Sequence, residues 1–236
     1  MPLSSSSIIH FTKTSESILG ILENNFKLFY CREKIFFSDG PVDFRVPMVS
    51  FCDIPLSEIK DHISKYGRYG IGLTKEWAER KGLNPLLYVV KNSNLAQSFR
   101  SAFLGHASKN DGDGLIDLVR YFKNYEGPLA RQDVSLPRYR FSDEREWRYV
   151  PKPDADCNMF LLENSSVEEV QSANKKLESL RLTFEPNDIK YIIIQSDDEI
   201  PMFVEFLKRV KGKYSYADVE RLTTRILTAE QIFDDI

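Results

Sequence analysis

Apolar positions along the chain switch between two periods, and the switches mark the elements. In residues 7–12, SIIHFT, alternation sets Ile9 and Phe11 on one side of a strand and His10 and Thr12 on the other. Thr14 is a side-chain cap for a helix running to Asn24, whose Ile18, Leu19, Ile21 and Leu22 make a broad apolar face; Asn24 and Asn25 stop it. Residues 28–31 and 34–37 read as strand pieces, and 38–47, with Asp39-Gly40-Pro41, as a loop. Met48 to Cys52 is a short apolar strand broken by Asp53 and Pro55. A helix follows from Ser57, with Ile59, Ile63 and Tyr66 at helical spacing. In YGRYGIGL, residues 66–73, three glycines and two tyrosines fall where helix gives way to strand, and glycine there permits a sharp turn or a close approach by a ligand. Thr74 caps a helix that carries Trp77 and stops at Gly82.

Beyond Gly82 the pattern predicts a buried strand at 86–90 and a helix over 93–108 with Leu95, Phe99 and Phe103 on one side. Residues 110–114, NDGDG, are the strongest loop signal. Their paired aspartates resemble the start of a calcium loop but lack its closing glutamate. Residues 115–122 return to a helical pattern, and 129–152 are extended. If 141–150 is one strand, Glu144, Glu146 and Arg148 share a face opposite Arg145, Trp147 and Tyr149, presenting two carboxylates and a guanidinium together. A strand at 158–162, a charged amphipathic helix over 165–180, a buried strand at 189–195, a helix over 199–210 and a last strand at 223–227 complete the chain.

Mixed strands and helices over one continuous apolar pattern predict a single α+β (mixed α/β) domain, residues 1–236, with a split or mixed β-sheet flanked by helices. Its motif core is 8–90 plus the strand at 141–150, with C-terminal strand and helix elements over 158–236. YGRYGIG lacks the GxGxxG spacing of a dinucleotide-binding turn, so a doubly wound sheet is disfavoured. With 236 residues, the chain is long enough to bury a sizeable core, and 42% hydrophobic content argues against disorder. A net charge of −3 argues against a protein that simply coats nucleic acid and leaves a local basic patch open. Three cysteines without CxxC spacing suit a reducing cytoplasm and offer no zinc site, and the three histidines lack ligand spacing. The N-terminal MPLSSSS has no basic, apolar leader pattern, and nothing reaches the roughly 18 apolar residues of a membrane span. The expectation is a cytoplasmic protein.

The string VSFCDIPLS, then His62, then YGRYGIGL with KEW, together with HFT near the N-terminus, resembles the AbiGi family of abortive phage-resistance proteins over residues 8–90. The resemblance implies a bacterial defence protein that acts as the antitoxin of a toxin–antitoxin pair, restraining a nucleotidyltransferase-like toxin encoded beside it. A second resemblance is weaker in sequence and richer in chemistry. A histidine on an early strand, a tyrosine beside a glycine-rich strand and a glutamate on a late strand are similar to the His-Tyr-Glu arrangement of ADP-ribosyltransferases. The matching positions are His10, Tyr69 or Tyr66, and Glu146, and Glu144-Arg145-Glu146 resembles the ExE pair of arginine-modifying members. That resemblance implies an ADP-ribosyltransferase-like fold with NAD bound by His10, Tyr66, Tyr69 and Arg148, and Glu146 and Glu144 as catalytic carboxylates. A fixed carboxylate would stabilise the positive charge that develops on the ribose as nicotinamide leaves.

Each of these residues also has a structural reading. His10 serves as well as a strand histidine bonded to a backbone carbonyl, and the two tyrosines as core or rim packing. The Glu144, Glu146, Arg148 set reads equally as a solvated strand face with a weak ion pair. Cys52 reads as a buried structural thiol.

Overall fold

A computed structural model of the chain describes residues 5–107, 117–131, 134–152 and 155–235; the loop expected at 110–114 lies outside them. In chain order the elements begin with β1 (Ser7–Thr12), α1 (Ser15–Asn24), β2 (Phe26–Lys27), β3 (Phe29–Phe37), β4 (Gly40–Cys52), α2 (Lys60–Tyr66), β5 (Tyr69–Thr74) and α3 (Lys75–Arg80). Next come β6 (Asn84–Pro85), β7 (Leu87–Val89), α4 (Asn94–Ala107), β8 (Phe122–Asn124), β9 (Gly127–Arg131), β10 (Val134–Tyr139) and β11 (Glu146–Tyr149). The remainder are β12 (Leu161–Leu162), α5 (Val167–Lys176), β13 (Arg181–Leu182), β14 (Ile189–Ile194), α6 (Ile200–Val210), α7 (Tyr216–Thr223), β15 (Ile226–Thr228) and α8 (Ala229–Asp235). The fold is α+β with a mixed sheet. It divides into two compact units: Met1–Lys27, Ser50–Gly82 and Arg181–Ile236 form the first, Leu28–Val49 and Leu83–Leu180 the second.

In the first unit the strands run in the order β15, β14, β5, β1 and the end of β4. The β1 and β5 strands are antiparallel from Ser7 opposite Thr74 to Thr12 opposite Tyr69, and β15 lies parallel to β14. Both faces of this sheet are covered, which is why β5 and β14 read as continuous apolar runs. On one face Ile9, Cys52, Tyr191 and Ile193 pack with Ile59, Ile63, Ala229 and Ile232. On the other, Phe26, Phe51, Trp77 and Phe184 form an aromatic cluster that includes the His10 ring.

Local signals produce the expected caps here. Thr14 accepts a hydrogen bond from the Ser17 N–H and Thr74 one from the Trp77 N–H, so each helix starts where its sequence says. Ser57 does not cap a helix. Pro55, at φ −60°, instead opens a 3-10 turn over Leu56–Glu58, its carbonyl taking the Glu58 N–H at 2.9 Å, and α2 begins only at Lys60. The strand expected at 223–227 is the helix α7 followed by β15, since Ser215 caps a helical turn through its bond to the Asp218 N–H.

The second unit is built on the β3–β4 hairpin, in register from Phe29 opposite Met48 to Phe37 opposite Gly40. The loop expected at 38–47 is only the turn at Ser38 and Asp39, and β4 runs through both Pro41 and Pro47. The prolines are tolerated because of side. Tyr30 and Phe36, their opposite numbers, turn their N–H groups away from β4 to Asn174 and Asn124, so residues 41 and 47 likewise point away and no β3–β4 bond is missing a donor. The inward face, Ile35, Phe37, Phe44, Val46 and Met48, packs against Phe99 and Phe103 of α4 and against Phe122. The β11 strand lies between β4 and β6. It is shorter than the strand expected at 141–150: Phe141–Glu144 form a 3-10 turn, and Arg145 reverses the chain at φ 44° before the strand begins. Glu144 therefore does not lie one strand period from Glu146.

Candidate functional site

The polar residues singled out at 144–148 lie in the second unit, where they form an ion network and no solvated face. The four residues of β11 alternate, with Glu146 and Arg148 inward. Arg148 is 0% exposed and Glu146 5%. Glu146 Oε1 accepts from Arg148 Nε at 3.1 Å and Nη2 at 2.8 Å, while Oε2 accepts from Lys123 Nζ at 2.8 Å. Glu33, from β3, takes a further bond from Arg148 Nη2 at 2.7 Å and lies 4.0 Å from Lys123 Nζ. The Arg120 carbonyl completes the guanidinium shell at 2.6 Å, and the Tyr88 hydroxyl accepts the Glu146 N–H at 2.8 Å.

Burial works against the charge on Lys123, but Glu146, Glu33 and then Glu144 outweigh it and hold the lysine above its ordinary pKa. Arg148 is raised in the same way, against desolvation, by Glu146 and Glu33. Cys31, beside the network, is exposed as a residue, yet desolvation by its neighbours and then Glu33 push its thiol up to about 11, so it is protonated at neutral pH and a poor nucleophile. A cluster of this kind ties strands β3, β8 and β11 together. Both Glu146 oxygens are committed to cations of the same chain.

His10, Tyr66 and Tyr69 lie in the first unit. The His10 Nδ1 donates to the Ser50 carbonyl at 2.8 Å, and its ring meets Phe26 edge-on at 5.2 Å. Burial lowers its pKa, with the Ser50 bond opposing, so the imidazole is neutral at neutral pH. Tyr66 stacks on His62 with ring centroids 5.5 Å apart. Tyr69 donates to Glu199 Oε1 at 2.7 Å, and burial followed by that bond pushes its pKa up to about 12. Because Thr12 pairs with Tyr69 and His10 with Ile71, His10 and Tyr69 share one face of the β1–β5 ladder.

The glycines between them are filled by the chain itself. A methyl at Gly72 would stand 2.3 Å from the ring of Tyr191, whose hydroxyl bonds Ser7 Oγ at 2.8 Å, and one at Gly67, at φ 122°, would stand 2.1 Å from the Thr12 carbonyl. The close approach expected at YGRYGIGL is thus made by protein. Sequence reasoning missed Glu33, Lys123 and Tyr88. Glu33 had a legible signal, a charge on the strand face otherwise made by Ile35 and Phe37; Lys123 had none. Among the described residues no group of three or more His, Cys, Asp or Glu side chains is arranged to hold a metal.

What these features define is an α+β protein whose conspicuous polar residues are consumed in internal networks, and comparison with known proteins narrows the class. A family model described as "Putative abortive phage resistance protein AbiGi, antitoxin" matches residues 24–195, and the chain belongs to this AbiGi family. An "Abortive phage resistance protein AbiGi" from Lactococcus lactis subsp. cremoris is 29% identical over 224 residues, covering 82% of this chain and 90% of that protein. No solved structure matches. The chain is therefore an abortive phage-resistance protein, and its family's antitoxin role implies a toxin partner. No helix among the described residues is long and apolar enough to cross a membrane.

Proposed function

We propose that the chain works by binding, as the antitoxin that restrains a nucleotidyltransferase-like toxin in the cytoplasm of the phage-infected cell. The observation that carries this reading is the engagement of both Glu146 oxygens by Arg148 and Lys123 inside a buried cluster, which leaves the best catalytic candidate occupied. Three cysteines, none in a disulfide, agree with a reducing compartment. Co-expression with the proteins encoded beside it tests the reading: relief of growth arrest and a stable complex are expected, and arrest unrelieved by the wild-type chain with every such neighbour overturns it.

The alternative is an ADP-ribosyltransferase-like enzyme that uses NAD to modify a protein or nucleic acid, or hydrolyses it. One observation favours it, the shared face of His10 and Tyr69 on the β1–β5 ladder. It requires Glu146 to exchange Lys123 for a ribose. Calorimetric titration with NAD and an assay for nicotinamide release decide it: binding and turnover lost in His10→Ala would establish the enzyme, and no heat with no release would end that reading.

A further inference from the structure

The outward face of the β3–β4 hairpin carries an arginine without a partner among the described residues. Register sets Arg45 directly opposite Arg32, with Lys34 and Asp43 the adjacent pair on the same face. Like charges opposed across antiparallel strands destabilise the pair, so a hairpin selected for stability alone would carry an acid at one of the two positions. Arg32 is satisfied: its Nε bonds Asp43 Oδ1 at 2.9 Å and its Nη2 reaches Glu163 at 3.1 Å. Arg45 is not. Among the described residues its side chain has no hydrogen bond or ion pair, and its Nε is buried without a partner.

The same hairpin leaves a short edge open. Tyr30, Arg32, Lys34 and Phe36 turn their main-chain groups away from β4. Asn174 Oδ1 plugs one end, taking the Tyr30 N–H at 2.9 Å. Asn124 plugs the other, accepting the Phe36 N–H at 2.7 Å and donating to its carbonyl at 2.9 Å. Between the plugs, and between the β8 strand at the Phe36 end and α5 at the Tyr30 end, the N–H and C=O groups of Arg32 and Lys34 have no strand partner among the described residues, where β3 forms a ladder with β4 alone. A cavity of about 620 Å³ lies at the Tyr30 end of this edge, lined by Tyr30 and by Leu161, the β12 neighbour of Arg45, but by none of Arg32, Lys34 and Arg45 themselves. Asp156, Glu168 and Glu169 also line it against one cation, Lys176, so it suits a neutral or basic side chain while carboxylates go to Arg45.

We propose that this face receives the toxin partner, which adds an extended acidic segment to the β3 edge at Arg32 and Lys34 and lays a carboxylate on Arg45. The inference rests on the antitoxin reading. An arginine and a glutamate side chain together span the roughly 10 Å of two strand spacings, so a residue on the added strand reaches Arg45 across β3. Main-chain bonds to the edge supply affinity, and the guanidinium selects the register and the sign of the partner's charge.

The test uses the full chain and a labelled nine-residue peptide alternating glutamate and valine, followed by fluorescence anisotropy, with Arg45→Gln and Lys34→Pro. Proline at 34 removes an outward N–H and leaves the β3–β4 ladder whole, as Pro41 and Pro47 already do. Each variant is expected to weaken the peptide by about tenfold or more without lowering the melting temperature, and to weaken protection against the toxin in the same order. Failure of the wild type to bind the peptide, equal binding by all three proteins, or Arg45-dependent binding of duplex DNA or inorganic phosphate in its place overturns the proposal. If the wild type protects cells and both variants protect equally, the docking face is wrong and the antitoxin reading stands. If the peptide binds through Arg45 but no neighbouring protein is restrained, the antitoxin reading falls and the acidic-peptide site stands.

Discussion

Glu146→Gln removes one charge from a cluster that holds its cations out of water, and the size of the effect follows from what remains. Arg148 is 0% exposed and shares its guanidinium among Glu146, Glu33 and the Arg120 carbonyl. Glutamine keeps one oxygen for Arg148. Its amide then turns toward Lys123 Nζ, where Oε2 had stood 2.8 Å away, and donor faces donor. Glu33 and Glu144 still balance Arg148 and Lys123, so no net charge is stranded, and the cost falls below the roughly 3–5 kcal/mol of a buried pair broken outright, at about 2–3 kcal/mol. At about 2–4 °C per kcal/mol for a chain of this size, the melting temperature should drop by roughly 5–10 °C. Arg148→Met leaves Glu33, Glu144 and Glu146 facing Lys123 alone and should cost more, about 3–5 kcal/mol. Thermal and urea unfolding followed by circular dichroism at pH 7, in low and high salt, checks both. The losses should persist in salt, since buried pairs are screened little. A Glu146→Gln midpoint within about 1 °C of wild type, or a loss abolished by salt, would refute the network as described.

Gly72→Ala forces a methyl to within 2.3 Å of the Tyr191 ring and should destabilise by about 1–3 kcal/mol, relieved in part by adding Tyr191→Ala; unchanged urea midpoints would refute the close packing. Burial lowers the His10 pKa below its ordinary 6.5, so the unfolded chain takes the proton first: stability is full above pH 6.5 and falls as pH drops below it. His10→Asn keeps a donor for the Ser50 carbonyl and should flatten that acid slope, and an identical slope would place the titrating group elsewhere. Lys211, buried and lowered to about 8 by desolvation and then by Lys213, binds fewer protons than in the unfolded chain between pH 8 and 10.5, so stability should rise with pH across that window. Lys211→Met should remove the rise and stabilise at pH 7 by about 1–2 kcal/mol, the attraction of the Phe184 ring and solvent screening limiting the gain; a loss of stability would show the cation to be favourable where it sits.

Much of the local structure was written in the sequence. The Thr14 and Thr74 caps, the alternation of SIIHFT and the apolar run of β14 involve groups within a few residues of one another, and neighbours in sequence are neighbours in space. The motif string around Cys52 and His62 likewise pointed to the AbiGi family on its own. The role of the polar residues was not legible in that way. A strand face bearing Glu146 and Arg148 reads the same whether water or protein covers it, and here the cover comes from Glu33, 115 positions from Arg148, and from Lys123, 23 positions from Glu146. Tyr191, which fills the space over Gly72, is as remote, and the tolerance of Pro41 and Pro47 depends on which side of β4 their missing donors would face. Tertiary structure decided these points because burial, pairing and the direction of a backbone N–H are properties of whatever the chain brings alongside, and that partner is chosen by the packing of the whole unit.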